Sequence, residues 1–191
     1  MTSISPRFPD LELDLAFNGA SDGFWIGPLD AATKFRLTEA DPWHKDLSTW
    51  LQVVRNDMSL ICPEAVRQAP ALSLGLLLTD DATIAEINAI WGKSSVVTDV
   101  LSFPAFEETI VRPEEQHLEL GDIVISVPTA QRQARDHNHD LEKELRWLVS
   151  HGFLHLLGWE HPNPKDLNQM LNLQEQLLNI DGMVQFGSKK P

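Results

Sequence analysis

The stretch LVSHGFLHLLGWEHPN contains three histidines whose spacing suits a metal ion. His151 and His155 are four residues apart, and on an α-helix this spacing places both side chains on one face. Gly158 can end such a helix, because glycine adopts the left-handed backbone conformation without steric cost. His161 follows three residues later and can fold back over the same face. We therefore predict that His151, His155 and His161 bind one zinc ion per chain.

Three protein ligands are typical of a catalytic zinc centre, in which the fourth coordination position stays open for water. An ion held in this way can lower the pKa of water or polarise a phosphoryl oxygen. The alternative is that these are ordinary core or surface histidines. The intervening glycine and the apolar helix around the three residues favour the metal site.

The spacing is similar to the extended zincin pattern His-Glu-x-x-His-x-x-Gly-x-x-His, with one difference that changes the chemistry. Zincin peptidases use the glutamate as a general base, and here Gly152 occupies that position. A peptidase is therefore poorly supported, and we expect Gly152 to let another backbone or a substrate approach the helix. Glu160 is a weak candidate for a catalytic base. It could equally orient a histidine or lie free in solvent.

Composition narrows the class of protein further. The chain has 191 residues, of which 42% are hydrophobic, and suits one domain with a buried core. Its formal net charge of -13 argues against a pure nucleic-acid-binding module, but less against an enzyme with a cation in its cleft. Cys62 is the only cysteine, which excludes an intrachain disulfide. Without an apolar run of the ~20 residues that span a bilayer, or a signal peptide, we expect a cytoplasmic protein without a membrane partner.

The apolar pattern predicts an α+β fold in a single domain, residues 1–191, with its core at about 71–180. Short apolar or alternating runs predict strands in LELDLAF, ALSLGLLLTDD, TDVLSFP and GDIVIS. Helical spacing predicts helices from Trp43 to Gln68 with a break at Pro63, from Asp80 or Asp81 to Trp91, after Pro128, from Asp140 to Leu157, and from Pro164 to about Asn179. The last helix carries Leu167, Met170, Leu171, Gln174, Leu177 and Leu178 at helical spacing. Residues 18–28 and 108–119 are predicted to be loops, and residues 18–70 have no assigned role.

Several other residues could take part in chemistry, but a structural role is the preferred interpretation of each. His137 and His139 could bind a second metal ion or a phosphate, yet they fit better in a polar loop between two helices. The same holds for two aspartates, expected in turns or caps, and two tryptophans, expected to pack rather than stack on a base. These four residues are Asp99, Asp122, Trp147 and Trp159.

The segment HGFLHLLGWEH resembles the His-Gly-x-Leu-His-Leu-x-Gly-[Tyr/His/Trp]-[Asp/Glu]-His motif of the YbeY family of rRNA-maturation endoribonucleases. The upstream segments LSLGLLLTDDATIAEINAIW, TDVLSFP and LGDIVIS are similar to the family's other blocks and occur in family order. The resemblance implies a compact α+β fold, with a small mixed four-stranded sheet flanked by helices and a zincin-like metal-binding helix. It also implies that His151, His155 and His161 are the metal ligands.

The resemblance implies a metal-dependent, single-strand-specific endoribonuclease that acts in 16S rRNA 3′-end processing and ribosome quality control. Its partners would be single-stranded rRNA and ribosomal subunits, not DNA. One position departs from the family: a gap-free alignment of NAIWGKSSVVT places Gly92 where the family has an arginine that contacts RNA phosphate. Lys93 is a weak candidate for the missing cation. The alternatives are a non-catalytic ribosome-associated metal-binding factor, or another zinc metallohydrolase such as a peptidase.

Overall fold

Four strands form one mixed sheet in the order β1-β2-β4-β3. Their bounds are β1 Asp10–Phe17, β2 Ala71–Thr79, β3 Val100–Pro104 and β4 His117–Ser126. β1, β2 and β4 are parallel, and β3 pairs antiparallel with β4 at the edge. This confirms the predicted mixed four-stranded sheet and all four predicted strands. Alternate leucines of β2 are buried, as the apolar run predicted: Leu72, Leu74, Leu76 and Leu78.

The computed structural model describes residues 10–17, 29–91, 96–105 and 117–184. Gly92, Lys93, the predicted loop at 18–28 and most of the predicted loop at 108–119 therefore lie outside the described residues. The prediction was wrong at the end of that second loop, because strand β4 already begins at His117. The polar composition of this stretch predicted a loop, but residues 117–119 pair with residues 71–73 of β2, and main-chain pairing decides their conformation.

Seven helices occupy the described parts of the chain. They are α1 Ala31–Thr38, α2 Asp41–Asn56, α3 Glu64–Gln68, α4 Asp81–Trp91, α5 Val127–Asp136, α6 Leu141–Leu156 and α7 Pro164–Val184. The predicted break near Pro63 is confirmed, since Pro63 is the N-cap of α3. Two predictions were incomplete: α1, capped by Asp30, was not predicted, and α7 continues beyond Asn179. None of the helices described is both long and apolar enough to cross a membrane.

Helix α2, which precedes β2 in the chain, packs against α6, the helix that carries His151 and His155. Trp50 of α2 is buried, its ring centroid lies 6.2 Å from that of Phe153 on α6, and its indole nitrogen donates to the Leu177 carbonyl oxygen at 3.1 Å. Asp46, also on α2, accepts hydrogen bonds from Arg36 at 2.6 Å and from Arg146 of α6 at 2.9 Å. The apolar core accordingly includes side chains from both sides of residue 71.

Candidate metal centre

Helix α6 holds the first two histidines of the candidate site on one face. Asp140 caps its N-terminus by accepting from the Lys143 amide at 2.7 Å, as predicted. Phe153 and Leu154 are buried, and the helix is thereby fixed against the sheet. The His151 and His155 ring centroids lie 4.7 Å apart, and their Nε2 atoms are separated by 3.1 Å.

A tight turn after α6 returns the chain to these two rings. Gly158 has φ +87°, the left-handed conformation predicted for it, and the Trp159 amide donates back to the Leu154 carbonyl oxygen at 3.0 Å. The Trp159 indole donates to the Ile61 carbonyl oxygen at 2.9 Å, which anchors the segment beyond the turn. His161 then lies over the cluster, its ring centroid 5.3 Å from that of His151 and 5.1 Å from that of His155. The structure thus brings together all three predicted ligands, and their binding of zinc stays a prediction.

The geometry of the cluster fits a zinc ion. Tetrahedral coordination with Zn–N bonds of about 2.0–2.1 Å places ligand nitrogens roughly 3.4 Å apart, close to the 3.1 Å between the Nε2 atoms of His151 and His155. Burial lowers the pKa of His151, and burial followed by the charge of His151 lowers the pKa of His155. Both rings are therefore neutral near pH 7, and neutral imidazole is the form that binds a metal.

Other side chains approach the Nδ1 atoms of His151 and His155. Gln174 of α7 places its Oε1 3.0 Å from Nδ1 of His151. Oε1 of Glu160 lies 3.7 Å from Nδ1 of His155. The Glu160 side chain is 78% exposed, so it is free to contact a substrate; its role as a base stays a prediction. Gln174 was not predicted as a site residue, although a glutamine at an apolar position of a helix was a signal that could have identified it.

Two open cavities meet at the histidines. One, of about 310 Å³, lies between β3 and the pair His151 and His155. The other, of about 540 Å³, shares His155 and Glu160 with the first and extends toward the segment between α2 and α3. Met58 and Ile61 line this second cavity and are 76% and 53% exposed. The cluster is therefore open to a substrate with both polar and apolar parts.

The sheet packs so closely against α6 that only glycine fits at position 152. The expectation that a backbone or a substrate approaches Gly152 was therefore wrong. A Cβ atom at this position would lie 2.8 Å from Cγ2 of Ile123 and 3.0 Å from Oγ of Ser102. These are side chains of β4 and β3. A carboxylate like that of zincin peptidases would meet the same atoms, and the structure thus supplies a physical reason for its absence.

His137 and His139 lie in the turn between α5 and α6, as predicted, and both contact Glu144. Nδ1 of His137 is 3.3 Å from Oε2 of this buried carboxylate, and Nε2 of His139 is in direct hydrogen-bond contact with the same oxygen. Hydrogen bonds to the two histidines thus satisfy Glu144, and the predicted structural role of the pair is supported.

Three further residues from the sequence analysis, Asp99, Trp159 and Asp122, can be compared with their predicted roles. Asp99 accepts from the Val100 amide at 2.8 Å and from Gln133 Nε2 of α5 at 2.9 Å, and these contacts support the expected turn or capping role. Trp159 is 8% exposed and packs, as predicted. The prediction for Asp122 was wrong: it lies within β4, opposite Gly75 of β2, rather than in a turn or cap. The absence of a Cβ at Gly75 leaves room for the Asp122 side chain.

The fold and the site together define a class of protein: a small α+β domain in which one helix and the turn after it bring three histidines together beside an open cavity. Comparison with known proteins then gives the family. The profile of the family described as Endoribonuclease YbeY matches residues 36–181, and the chain belongs to this family.

Relatives of known name match over nearly the whole chain. A protein of Prochlorococcus marinus (strain MIT 9313) named Endoribonuclease YbeY is 58% identical over 184 residues, covering 96% of this chain and 98% of the relative. A Synechococcus protein (strain CC9311) of the same name is 50% identical, covering 91% and 98%. Among solved structures, the solution structure of TM1509 from Thermotoga maritima has a TM-score of 0.52 at 22% identity and covers 93% of each chain. This last likeness supports the fold.

Proposed function

We propose that this chain is an endoribonuclease that holds one zinc ion through His151, His155 and His161 and cleaves single-stranded RNA. The observation that carries the proposal is the convergence of these three rings beside an open cavity. Membership of the Endoribonuclease YbeY family, supported by relatives that bear the same name, gives the reaction class. The chain would then be a hydrolase that acts on RNA phosphodiester bonds.

Zinc at this position supplies a Lewis acid for phosphoryl chemistry, and the protein supplies the geometry. His151 and His155 offer their Nε2 atoms toward each other. Glu160 lies at the rim of both cavities, within reach of a proton on a substrate or on water. We propose it as the general base, because it is the carboxylate nearest to the cluster in sequence and lies 3.7 Å from His155.

Electrostatics suggests why a cation would matter in this cleft. The chain carries a formal net charge of -13, and such a protein repels a polyanion at long range. Arg67 lines the larger cavity, but its Nη atoms already donate to four carbonyl oxygens, of Val54, Arg55, Asp57 and Leu60. A metal ion at the histidines would offset this repulsion where the scissile phosphate must lie.

The larger cavity supports a preference for single strands. Unpaired bases can leave the stack and lie against aromatic or apolar side chains, whereas bases in a duplex cannot. Exposed Met58 and Ile61 offer such a surface next to His155. We propose that an unpaired base lies against these two side chains while the adjacent phosphate faces the histidines.

The biological setting is proposed on the family resemblance. The substrate would be rRNA, with processing of the 16S 3′ end and ribosome quality control as the processes, and ribosomal subunits as partners. The protein would act in the cytoplasm, without DNA or membranes as partners. A second candidate is a non-catalytic ribosome-associated factor with a structural metal, and the glycine at position 92, in place of the family arginine, favours it.

A substrate panel separates these functions. Purified wild-type, His155→Ala and His137→Ala proteins would be incubated with a single-stranded RNA, the corresponding duplex and casein, after circular dichroism confirms folding. The proposal expects cleavage of the single strand alone, lost in His155→Ala and retained in His137→Ala, since His137 lies outside the cluster. An unchanged cleavage rate in His155→Ala would contradict it, unfolding of that variant would favour the structural factor, and casein cleavage would favour a peptidase.

A further inference from the structure

Gln174 is a fully buried polar residue that links α7 to the histidine cluster. Its side chain is 0% exposed and makes three hydrogen bonds. Nε2 is 3.1 Å from the Trp147 carbonyl oxygen and 3.2 Å from Oγ of Ser150, and Oε1 is 3.0 Å from Nδ1 of His151. A buried amide with every contact inside the protein has its orientation fixed by these partners.

The partners determine which end of the amide faces His151. A carbonyl oxygen only accepts hydrogen bonds, so the atom of Gln174 that contacts Trp147 must be the NH₂ group. Ser150 donates its own hydroxyl proton to the same carbonyl oxygen at 2.8 Å, and is therefore an acceptor for the amide. Both contacts require Nε2 on this side, which leaves Oε1 toward His151. Reversing the amide would place two oxygens against each other.

The orientation of the amide in turn fixes the proton on His151. Oε1 can only accept, so Nδ1 of His151 must carry the hydrogen, and in a neutral ring Nε2 then carries the lone pair. Nε2 is also the atom that faces His155 across 3.1 Å. We propose that Gln174 is a positioning residue, which fixes the Nδ1-protonated tautomer of His151 and so presents Nε2 to the metal ion. This inference rests on the metal site of the proposed function.

Removal of the acceptor should weaken metal binding without removing a ligand. In Gln174→Leu a side chain of similar volume fills the space, but Nδ1 loses its partner and the ring can rotate or exchange tautomers. Loss of such outer contacts typically lowers metal affinity about 10–100-fold. Gln174→Glu keeps an oxygen for Nδ1, and the protonated form of its carboxyl group can donate to the Trp147 carbonyl oxygen in place of the amide, so this variant should recover part of the lost affinity. Gln176→Leu is the matched control, because it makes the same change on the exposed face of α7.

Two measurements test the inference on the full chain. Zinc affinity is measured by competition with a chromogenic chelator for wild-type, Gln174→Leu, Gln174→Glu and Gln176→Leu proteins. Nitrogen-15 NMR of the imidazole rings then reports the tautomer of His151 in zinc-free protein, well above the ordinary imidazole pKa of about 6.5. We expect Nδ1–H in wild type and Gln176→Leu, a mixture of tautomers in Gln174→Leu, and restored Nδ1–H in Gln174→Glu.

The outcomes that overturn the inference differ from those that overturn the proposed function. Wild-type protein that binds no zinc would overturn both. Wild-type protein that binds zinc, with equal affinity in Gln174→Leu, would overturn the inference alone, as would an Nε2–H tautomer at His151 in the wild type. If Gln174→Leu does not fold, the tautomer of His151 in the wild-type and Gln174→Glu proteins still tests the inference.

Discussion

Replacement of Gly152 by alanine tests how closely the sheet approaches the helix that carries the histidines. The new Cβ would lie 2.8 Å from Cγ2 of Ile123, whereas carbon atoms in contact normally stand about 3.5–4.0 Å apart. Ile123 is fully buried, and its strand is paired on both sides, with Leu76 and with Ser102. The overlap of at least ~0.7 Å therefore has to be absorbed by displacement of α6.

The magnitude follows from two opposing effects. Overpacking of a core typically costs about 1–3 kcal/mol, while alanine in place of glycine within a helix gains up to about 1 kcal/mol. We expect Gly152→Ala to lower the free energy of unfolding by about 1–2 kcal/mol, measured by urea denaturation of zinc-free protein. A variant as stable as wild type, or more stable, would refute the reasoning.

A double-mutant cycle identifies the cause of the loss. Ile123→Ala removes the methyl group that the new Cβ would meet, so Gly152→Ala should be neutral or stabilising in that background, with a coupling of about 1–3 kcal/mol. Gly158→Ala is the control: no atom lies within 4 Å of its added Cβ, but its φ of +87° disfavours any side chain. Its destabilisation should be the same with or without Ile123→Ala.

Three further predictions concern the ion pairs of Asp46, the larger cavity beside His155, and the histidine ligands. Asp46→Ala should lower the free energy of unfolding by about 3 kcal/mol in urea, because two arginines lose a buried partner; a loss below about 1 kcal/mol would contradict the network's role. Ile61→Asp should raise KM for single-stranded RNA and leave zinc content unchanged; an unchanged KM would exclude this surface from substrate binding. Because the pKa values of His151 and His155 are lowered, protons should displace zinc only below about pH 6.5 in a dialysis series, and loss beginning above pH 7 would contradict their assignment as neutral ligands.

Sequence patterns predicted the parts of the fold that depend on local rules. The strands have period-two or continuous apolar runs, Asp140 has the chemistry of an N-cap, and Gly158 adopts the predicted left-handed conformation. The convergence of His151, His155 and His161 follows from the same helix and turn geometry. These features need only neighbours within a few residues, and a sequence displays those directly.

The features that were missed depend on partners distant in sequence. His117 belongs to a strand because Ala71 pairs with it, although the residues just before it in the sequence, Glu114 to Gln116, are acidic or polar. The space at Gly152 is filled by Ile123 of another element. Helical spacing places Gln174 among the apolar residues of α7, but only the packing of α7 against α6 shows that it faces His151. Such contacts become visible once the elements are packed.

The most direct test of the central claim is the metal content of wild-type and His151→Ala proteins by mass spectrometry, with cleavage of single-stranded RNA measured on the same preparations. We expect about one zinc ion per wild-type chain, as three converging histidines imply, and the loss of both zinc and cleavage in the variant. Wild-type protein without bound metal, or a His151→Ala protein that loses zinc and cleaves RNA at the wild-type rate, would contradict the claim that these histidines form a hydrolytic zinc centre.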